Sequence, residues 1–256
     1  MGESYMKSKR IYEIESFIKE NKTASIEELR QIFKVSINTI RRDVNQLVDM
    51  NVVKKVYGGI ELIEDSHRAV DYYKRNIENY KSKKHIGELA SNEIKTNDII
   101  YIDTGTTTIH MLDYVDKNLT FTIITNSLDI MNKASQFDNV TLFIIGEKYK
   151  PRTRSFIGIG SNMLLEKFNI NKCFMAATGV NVQNGLSNSE MEENLIKQYI
   201  TSKANETYIL ADHSKMGKST LLTYCDLTDI NKMFTDKLPP KDINQFCNEQ
   251  NISIHF

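Results

Sequence analysis

Apolar positions in the first fifty residues repeat at helical spacing and define three successive segments. In the first segment they are Ile11, Ile14, Phe17 and Ile18. In the second they are Ile26, Leu29, Ile32 and Phe33. Ser25 and Glu28 have the spacing of a capping box at the start of the second segment, and Ser36 provides an N-cap for the third. This pattern predicts three helices, of which the last two are joined by a tight turn as in a helix-turn-helix.

The third segment is amphipathic, with a polar face opposite its apolar positions. At 100° per residue, an arc of about 100° collects the apolar positions Ile37, Ile40, Val44, Leu47 and Val48. The opposite half presents Asn38, Thr39, Arg42, Asn45 and Gln46. Arg41 borders the core on one flank, where it suits a phosphate contact or a contact that braces the next helix. Asp43 borders it on the other flank, where it suits pairing within the domain. Such groups read bases and hold phosphates, although an ordinary solvated face has a similar composition.

The stretch "NVVKKVYGGIEL" that follows has the chemistry of a β-hairpin. A β-branched run leads into the glycines Gly58 and Gly59, and a second apolar pair comes after them. Helices followed by a hairpin in this order predict a winged helix. Lys54, Lys55 and Tyr57 would then lie on or beside the wing, where the DNA backbone passes.

The same region resembles the DeoR family of bacterial sugar-metabolism regulators. The matching positions of "SINTIRRDVNQLVDMNVVKKVYGG" are Ser36, Thr39, Ile40, Arg41, Arg42, Asp43, Leu47, Lys55, Tyr57, Gly58 and Gly59. The departures are Asn38, Asn51 and Ile60, and Asn38 falls at the reading end of the helix. The resemblance implies operator DNA as a partner. The candidate DNA-binding residues are Ser36, Asn38, Thr39, Arg41, Arg42, Lys54, Lys55 and Tyr57.

The remainder of the chain alternates short apolar runs with helical segments. The runs are "DIIYID", "FTIIT", "VTLFII", "KCFMAA", "TYILA" and, more weakly, "ISIHF". Such runs predict a parallel sheet covered on both faces, which is a doubly wound α/β domain that binds ligands at the carboxyl ends of its strands. We therefore expect a DNA-binding domain over residues 1–60, a linker over 61–75 and an effector-binding and oligomerisation domain over 76–256.

Polar loops follow the predicted strands and supply the candidate effector site. In "DTGTTTIHML" a tight turn at Gly105 would place three threonines at a helix N-terminus, which suits a phosphate. The alternative is a helix cap without a ligand. The candidate effector-binding residues are Asp103, Gly105, Thr106, Thr107, Thr108, Thr125, Asn126, Gly146, Arg152, Glu193, Asp212 and Lys215. Glu193 and Lys197 also have the spacing of an ordinary solvated ion pair.

The order of these loops is similar to the effector domain of the DeoR family, which is related in fold to ribose-5-phosphate isomerase and sugar-phosphate deaminases. This likeness implies a phosphorylated sugar as the effector. Its phosphate would rest on the Asp103–Thr108 loop, neutralised by Lys215 and by the basic residues of "IIGEKYKPRTRSFIG". Asn126, Glu193 and Asp212 would bind the sugar hydroxyls. Glu147 and His213 depart from the family pattern and put the contribution of their loops in question.

Composition places the protein among soluble, cytosolic chains. Formal net charge is zero over the 256 residues, and residues 1–60 hold 11 Lys/Arg against 8 Asp/Glu. The cysteines Cys173, Cys225 and Cys247 are widely spaced, which favours reduced thiols over a disulfide framework or a zinc site. No apolar run reaches the ~18 residues of a membrane span. We expect a cytoplasmic protein without a cofactor, a metal or a membrane partner.

Three functions are compatible with these patterns. The first is a transcriptional regulator, acting as a repressor, that binds operator DNA as a homodimer or homotetramer and responds to a phosphorylated sugar. The second is a regulator whose effector site is lost or takes another ligand. The third is a sugar-phosphate isomerase or deaminase fused to a DNA-binding head, for which Glu193 or Asp103 would serve as the base.

Overall fold

The computed structural model describes residues 3–49, 52–63, 71–158 and 165–256. The chain divides into two compact units, Met1–Tyr80 with Pro151–Thr153 and Lys81–Lys150 with Arg154–Phe256. Asn51, one of the departures from the family pattern, lies outside the described residues.

The first unit contains the predicted three helices and hairpin. The helices are α1 (Glu3–Asn21), α2 (Ile26–Phe33) and α3 (Ile37–Asp49). The strands are β1 (Thr23–Ser25), β2 (Val53–Val56) and β3 (Gly59–Leu62). Both halves of the capping box are present, since Ser25 accepts from the Glu28 N–H and the Glu28 carboxylate accepts from the Ser25 N–H. Lys34 takes the left-handed conformation at φ 50°, which lets α2 turn directly into α3.

The wing is a three-stranded sheet rather than a two-stranded hairpin. Strand β3 lies between β1 and β2 and is antiparallel to both. The two wing glycines have different roles. Gly58 turns the chain at φ +80°, whereas a Cβ on Gly59 would come within 2.2 Å of the Ala24 carbonyl oxygen. Only glycine at position 59 therefore allows β1 to approach β3.

An ion pair with a buried carboxylate joins α3 to α1 within this unit. Asp43 is 1% exposed, and its carboxylate accepts from Arg10 of α1 at 2.5 and 3.3 Å. The expected pairing of Asp43 within the domain is confirmed. The expected core position of Ile37 is wrong, because the helix turns its Asp43 side inward and leaves Ile37 38% exposed. Ile32, also expected in the core, is 46% exposed.

Helix α4 (Asp71–Ile77) continues the first unit beyond the wing. It packs against α1, where Asn76 donates to the Ser8 hydroxyl at 2.6 Å and Tyr72 joins the core. The stretch 61–75, expected as a linker, thus contains the end of β3, residues 64–70 outside the described part, and the start of α4.

The second unit is built on a seven-stranded parallel sheet. Its strands are β4 (Ile99–Ile102), β5 (Phe121–Thr125), β6 (Val140–Ile144), β9 (Lys172–Ala176), β12 (Glu206–Leu210), β14 (Lys232–Phe234) and β15 (Ser253–His255). Their spatial order is β15-β14-β12-β9-β4-β5-β6. The chain winds outward in one direction from β4 and in the other from β9. The topological switch point therefore lies between β4 and β9.

Helices cover both faces of the sheet, as the sequence predicts for a doubly wound domain. On one face lie α5 (Tyr80–Ser91), a 3-10 helix (Thr108–Asp113) and α6 (Leu128–Ala134). On the other face lie α7 (Met191–Lys203) and α8 (Lys241–Glu249). The three cysteines are buried and free, in agreement with the expectation. Strand β14 was not predicted, because "KMF" is too short to show a period.

Two small sheets complete the second unit. The hairpin β7–β8 consists of Lys148–Lys150 and Ser155–Ile157. The second small sheet contains β10 (Gly179–Asn181), β11 (Gly185–Asn188) and β13 (Leu222–Cys225).

Replacing Arg10 by Ala should lower the free energy of unfolding by about 3 kcal/mol, because the buried Asp43 carboxylate would lose its partner. Chemical unfolding of the full chain followed by circular dichroism measures the loss. Lys9→Ala is the matched control, since Lys9 forms an exposed pair with Glu13 at 3.8 Å and should contribute less than about 0.5 kcal/mol. Adding Asp43→Asn to Arg10→Ala should restore part of the stability. Equal losses for the Arg10 and Lys9 variants would contradict the assignment.

Candidate functional site

The start of α3 is organised by a local hydrogen-bond pair. The Ser36 hydroxyl accepts from the Thr39 N–H at 3.2 Å and lies 2.8 Å from the Thr39 hydroxyl. Ser36 is therefore the N-cap that the sequence predicts. The two hydroxyls are bonded to each other, so their proposed contacts with DNA would have to share or replace this bond.

Arg41 and Lys55 line one groove on the winged helix. The groove is formed by the start of α2, one side of α3 and the wing, and it is lined by Ile26, Glu27, Ile37, Arg41, Val44, Asn45, Lys55, Val56, Gly58 and Gly59. Arg41 is exposed, and Lys55 lies opposite Ile60 on the face of the wing that turns toward the core. Two cations on either side of an open groove suit a phosphate backbone that passes between helix and wing.

Lys54 lies on the other face of the wing. It stands opposite Glu61 in the strand register, and its ammonium is 3.0 Å from the Glu61 carboxylate. The two wing lysines, equivalent in the sequence, therefore differ in direction and in charge partner. Tyr57 projects fully into solvent at the tip of the wing.

Asn38 and Arg42 are exposed on the outward side of α3. They are separated by one helical turn and lie opposite the buried side that contains Ile40 and Leu47. This placement agrees with the geometry expected for reading base edges. Their role in sequence recognition stays a prediction.

In the second unit, the switch point between β4 and β9 is closed by a buried ion pair. Asp103 follows β4 and is 1% exposed, and Lys197 of α7 is 3% exposed. The Lys197 ammonium contacts the Asp103 carboxylate and also donates to the Ala176 carbonyl at 3.0 Å. The Ala176 N–H donates to the same carboxylate at 2.9 Å. Two strands and one helix therefore meet at the edge where doubly wound domains bind ligands.

Two buried tyrosines surround this ion pair. The Tyr224 hydroxyl donates to the Ala176 carbonyl at 3.0 Å, and the Lys197 ammonium lies 5.1 Å from the centre of its ring. Burial raises the pKa of Tyr101 and of Tyr224 well above the ordinary value, and the nearby Asp103 charge adds to both shifts. Both phenols therefore remain protonated and act as donors.

The loop after β4 differs from its expected form. The Thr108 hydroxyl lies 2.8 Å from the Asp103 carbonyl and 3.2 Å from that of Gly105, so it is used within the loop. Thr107 precedes the 3-10 helix without a side-chain capping bond. The helix that begins at the threonines is a 3-10 helix of six residues, Thr108–Asp113. Thr106 and Thr107 are buried at the loop, and Gly105 approaches Ala176 too closely for a Cβ.

The side chains that end β5 stabilise the fold of this edge. The Thr125 hydroxyl donates to the Ile102 carbonyl at 2.7 Å and accepts from the Ser127 N–H at 3.1 Å. Asn126 accepts from the Tyr101 hydroxyl at 2.8 Å and donates to the Phe156 carbonyl at 3.1 Å. Thr125 and Asn126 are therefore already engaged within the protein. An effector could bind only to the lone pairs and N–H groups that these bonds do not use.

The hairpin β7–β8 is fixed at both sides by charged contacts. Arg154 forms a two-pronged pair with Asp129 of α6 at 2.6 to 3.1 Å. Lys150 contacts Glu190 at 2.7 Å and Glu192 at 2.9 Å. The expected basic loop thus has two of its cations already paired, which reduces what it can offer to a phosphate. Arg152 is half-buried in the turn of the hairpin.

Gly146 lies immediately before this hairpin at φ +100°. A Cβ at this position would come within 2.6 Å of the Phe156 carbonyl carbon. Gly146 therefore allows close packing against β8, and the neighbouring Glu147 is exposed.

The interpretation of Glu193 and Lys197 as a solvated ion pair is wrong. Both residues are buried, and Glu193 accepts from the Ser155 hydroxyl at 2.6 Å while Lys197 pairs with Asp103. The i, i+4 spacing gives no sign of these distant partners. Local sequence patterns likewise give no sign that Ser155, Tyr101 and Tyr224 lie at the candidate site, or that Lys197 pairs with Asp103.

The last polar loop follows β12 and caps a short 3-10 helix. Asp212 accepts from the Ser214 N–H at 2.9 Å, and Lys215 at the end of that helix is half-buried. The ring of His213 lies 2.7 Å from Asp236, which also accepts from the His213 N–H. Although burial opposes it, hydrogen bonds from Ser82 and His213 lower the pKa of Asp236. These bonds hold His213, which departs from the family pattern, beside the end of β14.

Comparison with known proteins gives the family of the chain. Residues 10–66 match the model of the DeoR-like helix-turn-helix domain, and residues 78–237 match the DeoR C terminal sensor domain. The HTH-type transcriptional regulator IolR of Bacillus subtilis is 46% identical over 98% of this chain and 99% of that protein. The lactose phosphotransferase system repressor of Streptococcus mutans is 28% identical over 90% and 92%. A ribose 5-phosphate isomerase from Methanocaldococcus jannaschii aligns at TM-score 0.40 and 19% identity over 54% and 55%.

The chain belongs to the DeoR family of transcriptional regulators. It combines the winged helix-turn-helix with the doubly wound α/β sensor domain that the sequence predicts. Among the described helices, none has the length and apolar character needed to cross a bilayer.

Lys55→Ala should weaken binding to duplex DNA of any sequence, because it removes a cation from the groove that Arg41 shares. The slope of log K against log salt should fall in magnitude by about 0.9, the value for one lost phosphate contact. Fluorescence anisotropy with a duplex of arbitrary sequence at several salt concentrations measures both quantities.

Lys54→Ala is the matched control on the other face of the wing. It should change the salt slope less than Lys55→Ala, because Lys54 is paired with Glu61 and points away from the groove. Equal slopes for the two variants would contradict the distinction between the wing faces.

Proposed function

We propose that this DeoR-family protein represses a sugar-metabolism operon and that a phosphorylated sugar bound in the α/β domain alters its operator binding. The observation that carries the proposal is the convergence of polar loops at the switch point of a sheet in the same chain as a winged helix. Membership of the DeoR family supports a role in sugar metabolism. The name of the lactose phosphotransferase system repressor supports repression.

The proposed effector contacts come from the loops that follow strands β4 and β12. Lys215 is the best placed cation for the phosphate, since it is half-buried and forms no ion pair within the described ranges. The backbone and hydroxyls of Thr106 and Thr107 complete the phosphate subsite. Asp103 and Asp212 follow strands β4 and β12, which flank β9 and so lie about 10 Å apart by sheet spacing. That distance leaves room for a sugar phosphate between the two loops, so that Lys215 from one loop and the threonines from the other can both reach the phosphate.

Asn126 and Glu193 are further proposed effector contacts. Asn126 and Glu193 already bond to Tyr101 and Ser155, respectively. An effector that reached them would have to share these bonds. Such shared bonds would make binding sensitive to the position of the β7–β8 hairpin.

The proposed regulator acts as a homodimer or homotetramer in the cytoplasm. One winged helix contacts too few bases for a tight site, and two heads on repeated half-sites multiply the contacts. Effector binding then changes operator affinity only if the sugar prefers one arrangement of the heads.

Catalysis of sugar-phosphate isomerisation or deamination is not proposed for this site. The two carboxylates that could act as a base are engaged, Asp103 by Lys197 and Glu193 by Ser155. Incubation with ribose 5-phosphate or glucosamine 6-phosphate should give no turnover. A clear catalytic rate would reverse this part of the proposal.

A panel of phosphorylated sugars tests the effector. One member should raise the melting temperature of the full chain, because a ligand at about 100 times its Kd adds about 2.7 kcal/mol of stability. The same sugar should change the affinity for operator DNA, measured by anisotropy, whereas its unphosphorylated form should not. If no member of the panel shifts the melting temperature, the effector is not a sugar phosphate.

Lys215→Ala should reduce the apparent affinity for the active sugar about tenfold or more, because the phosphate would lose its charge-assisted partner. Lys218→Ala is the control, since Lys218 is exposed three residues further along the same loop. The concentration dependence of the thermal shift gives both affinities. Retention of full affinity by the Lys215 variant would remove this residue from the site.

A further inference from the structure

Helix α3, the second helix of the helix-turn-helix, begins with an exposed isoleucine, Ile37. The proposed contacts with DNA do not use this side chain. Ile37 is 38% exposed and lines the groove that contains Arg41 and Lys55. Helical spacing predicts a core position for Ile37, but α3 turns Ile40, Asp43, Val44 and Leu47 inward. Ile37 lies outside the core. An apolar side chain thus stands among the polar and charged groups of the DNA-binding face.

Position within the helix determines what Ile37 can reach. Ile37 precedes Asn38 and lies one turn before Arg41, at the N-terminal end of α3. In helix-turn-helix proteins, side chains at this end of the recognition helix contact base edges in the major groove. Ile37 is therefore placed to meet a base when Arg41 and Lys55 hold the backbone beside it.

The chemistry of an isoleucine side chain limits what it can recognise. It has no hydrogen-bonding group, so it cannot distinguish the donors and acceptors of the major groove. The apolar group that a base presents there is the 5-methyl group of thymine, which cytosine lacks. Contact with that methyl group would remove apolar surface of both partners from water.

We propose that Ile37 is a specificity-determining residue that selects thymine in each operator half-site through its 5-methyl group. Asn38 and Arg42 supply the hydrogen bonds to neighbouring bases, while Ile37 adds discrimination between thymine and cytosine. The apolar side chains of Ile26 and Val56, which line the same groove, extend the surface on which Ile37 rests.

Replacement of thymine by uracil tests the proposal, since uracil keeps the base pair and lacks only the methyl group. The full chain is first used to select its binding site from duplexes with a randomised centre. Each thymine of the enriched site is then replaced in turn by uracil, and affinity is measured by anisotropy at one salt concentration. One thymine in each half-site should lose about fourfold in affinity on replacement, the value for one buried methyl group.

Ile37→Ala identifies the side chain that reads this methyl group. The variant should bind the thymine and uracil sites with equal affinity. Ile32→Ala is the matched control, because Ile32 is 46% exposed in α2 and does not line the groove. It should retain the fourfold preference. Thermal unfolding of both variants checks that the fold is intact.

Two results would overturn the proposal. One is an enriched site in which no thymine is sensitive to uracil. The other is a preference for thymine that is as strong in Ile37→Ala as in the parent protein. In that second case another side chain reads the methyl group.

Discussion

The buried ion pair between Lys197 and Asp103 is the contact on which the geometry of the sensor domain depends. Each charge would be costly to bury alone, and the two stabilise each other together with the peptide group of Ala176. These contacts use Oδ2 of Asp103, while its Oδ1 is buried without a hydrogen-bond partner among the described residues. The pair therefore fixes α7 to the ends of β4 and β9 at the switch point. The loops that carry Thr106, Asn126 and Lys215 begin at the carboxyl ends of the strands on this same side of the sheet.

The ion pair between Arg10 and the buried Asp43 has the corresponding role in the winged helix. Asp43 is conspicuous in the sequence because it follows two arginines, yet its partner is Arg10 on another helix. By drawing this side of α3 inward, the pair exposes Ile37 and leaves Arg41 facing the groove. The packing of a helix that does not touch the groove thus decides which side chains are offered to DNA.

Local patterns predicted the elements of the fold, and long-range pairings escaped them. The capping box at Ser25 and Glu28, the wing glycines and the apolar strands are signals within a few residues, and the structure confirms them. Glu193 and Lys197 show the limit, because their spacing fits a solvated pair whereas their partners lie 38 and 94 residues away. The predicted core position of Ile37 was wrong for the same reason. The side of α3 that faces inward includes Asp43, whose partner Arg10 is on α1, and the local pattern does not show that contact. The order of the polar loops did predict that they lie together at the carboxyl ends of the parallel strands, and that placement is observed.

The contacts around the switch point also indicate how a ligand could act beyond its own subsite. The hairpin β7–β8 is tied to α6 through Arg154 and Asp129, and to α7 through Ser155 and Glu193. Helix α7 in turn is tied to β4 through Lys197. A ligand that altered the position of α7 would strain the Ser155 bond or move the hairpin with it, because buried hydrogen bonds are costly to leave unmade. Since a ligand changes an equilibrium only by its differential affinity for two states, this connected set of polar contacts is where the two states of the sensor should differ.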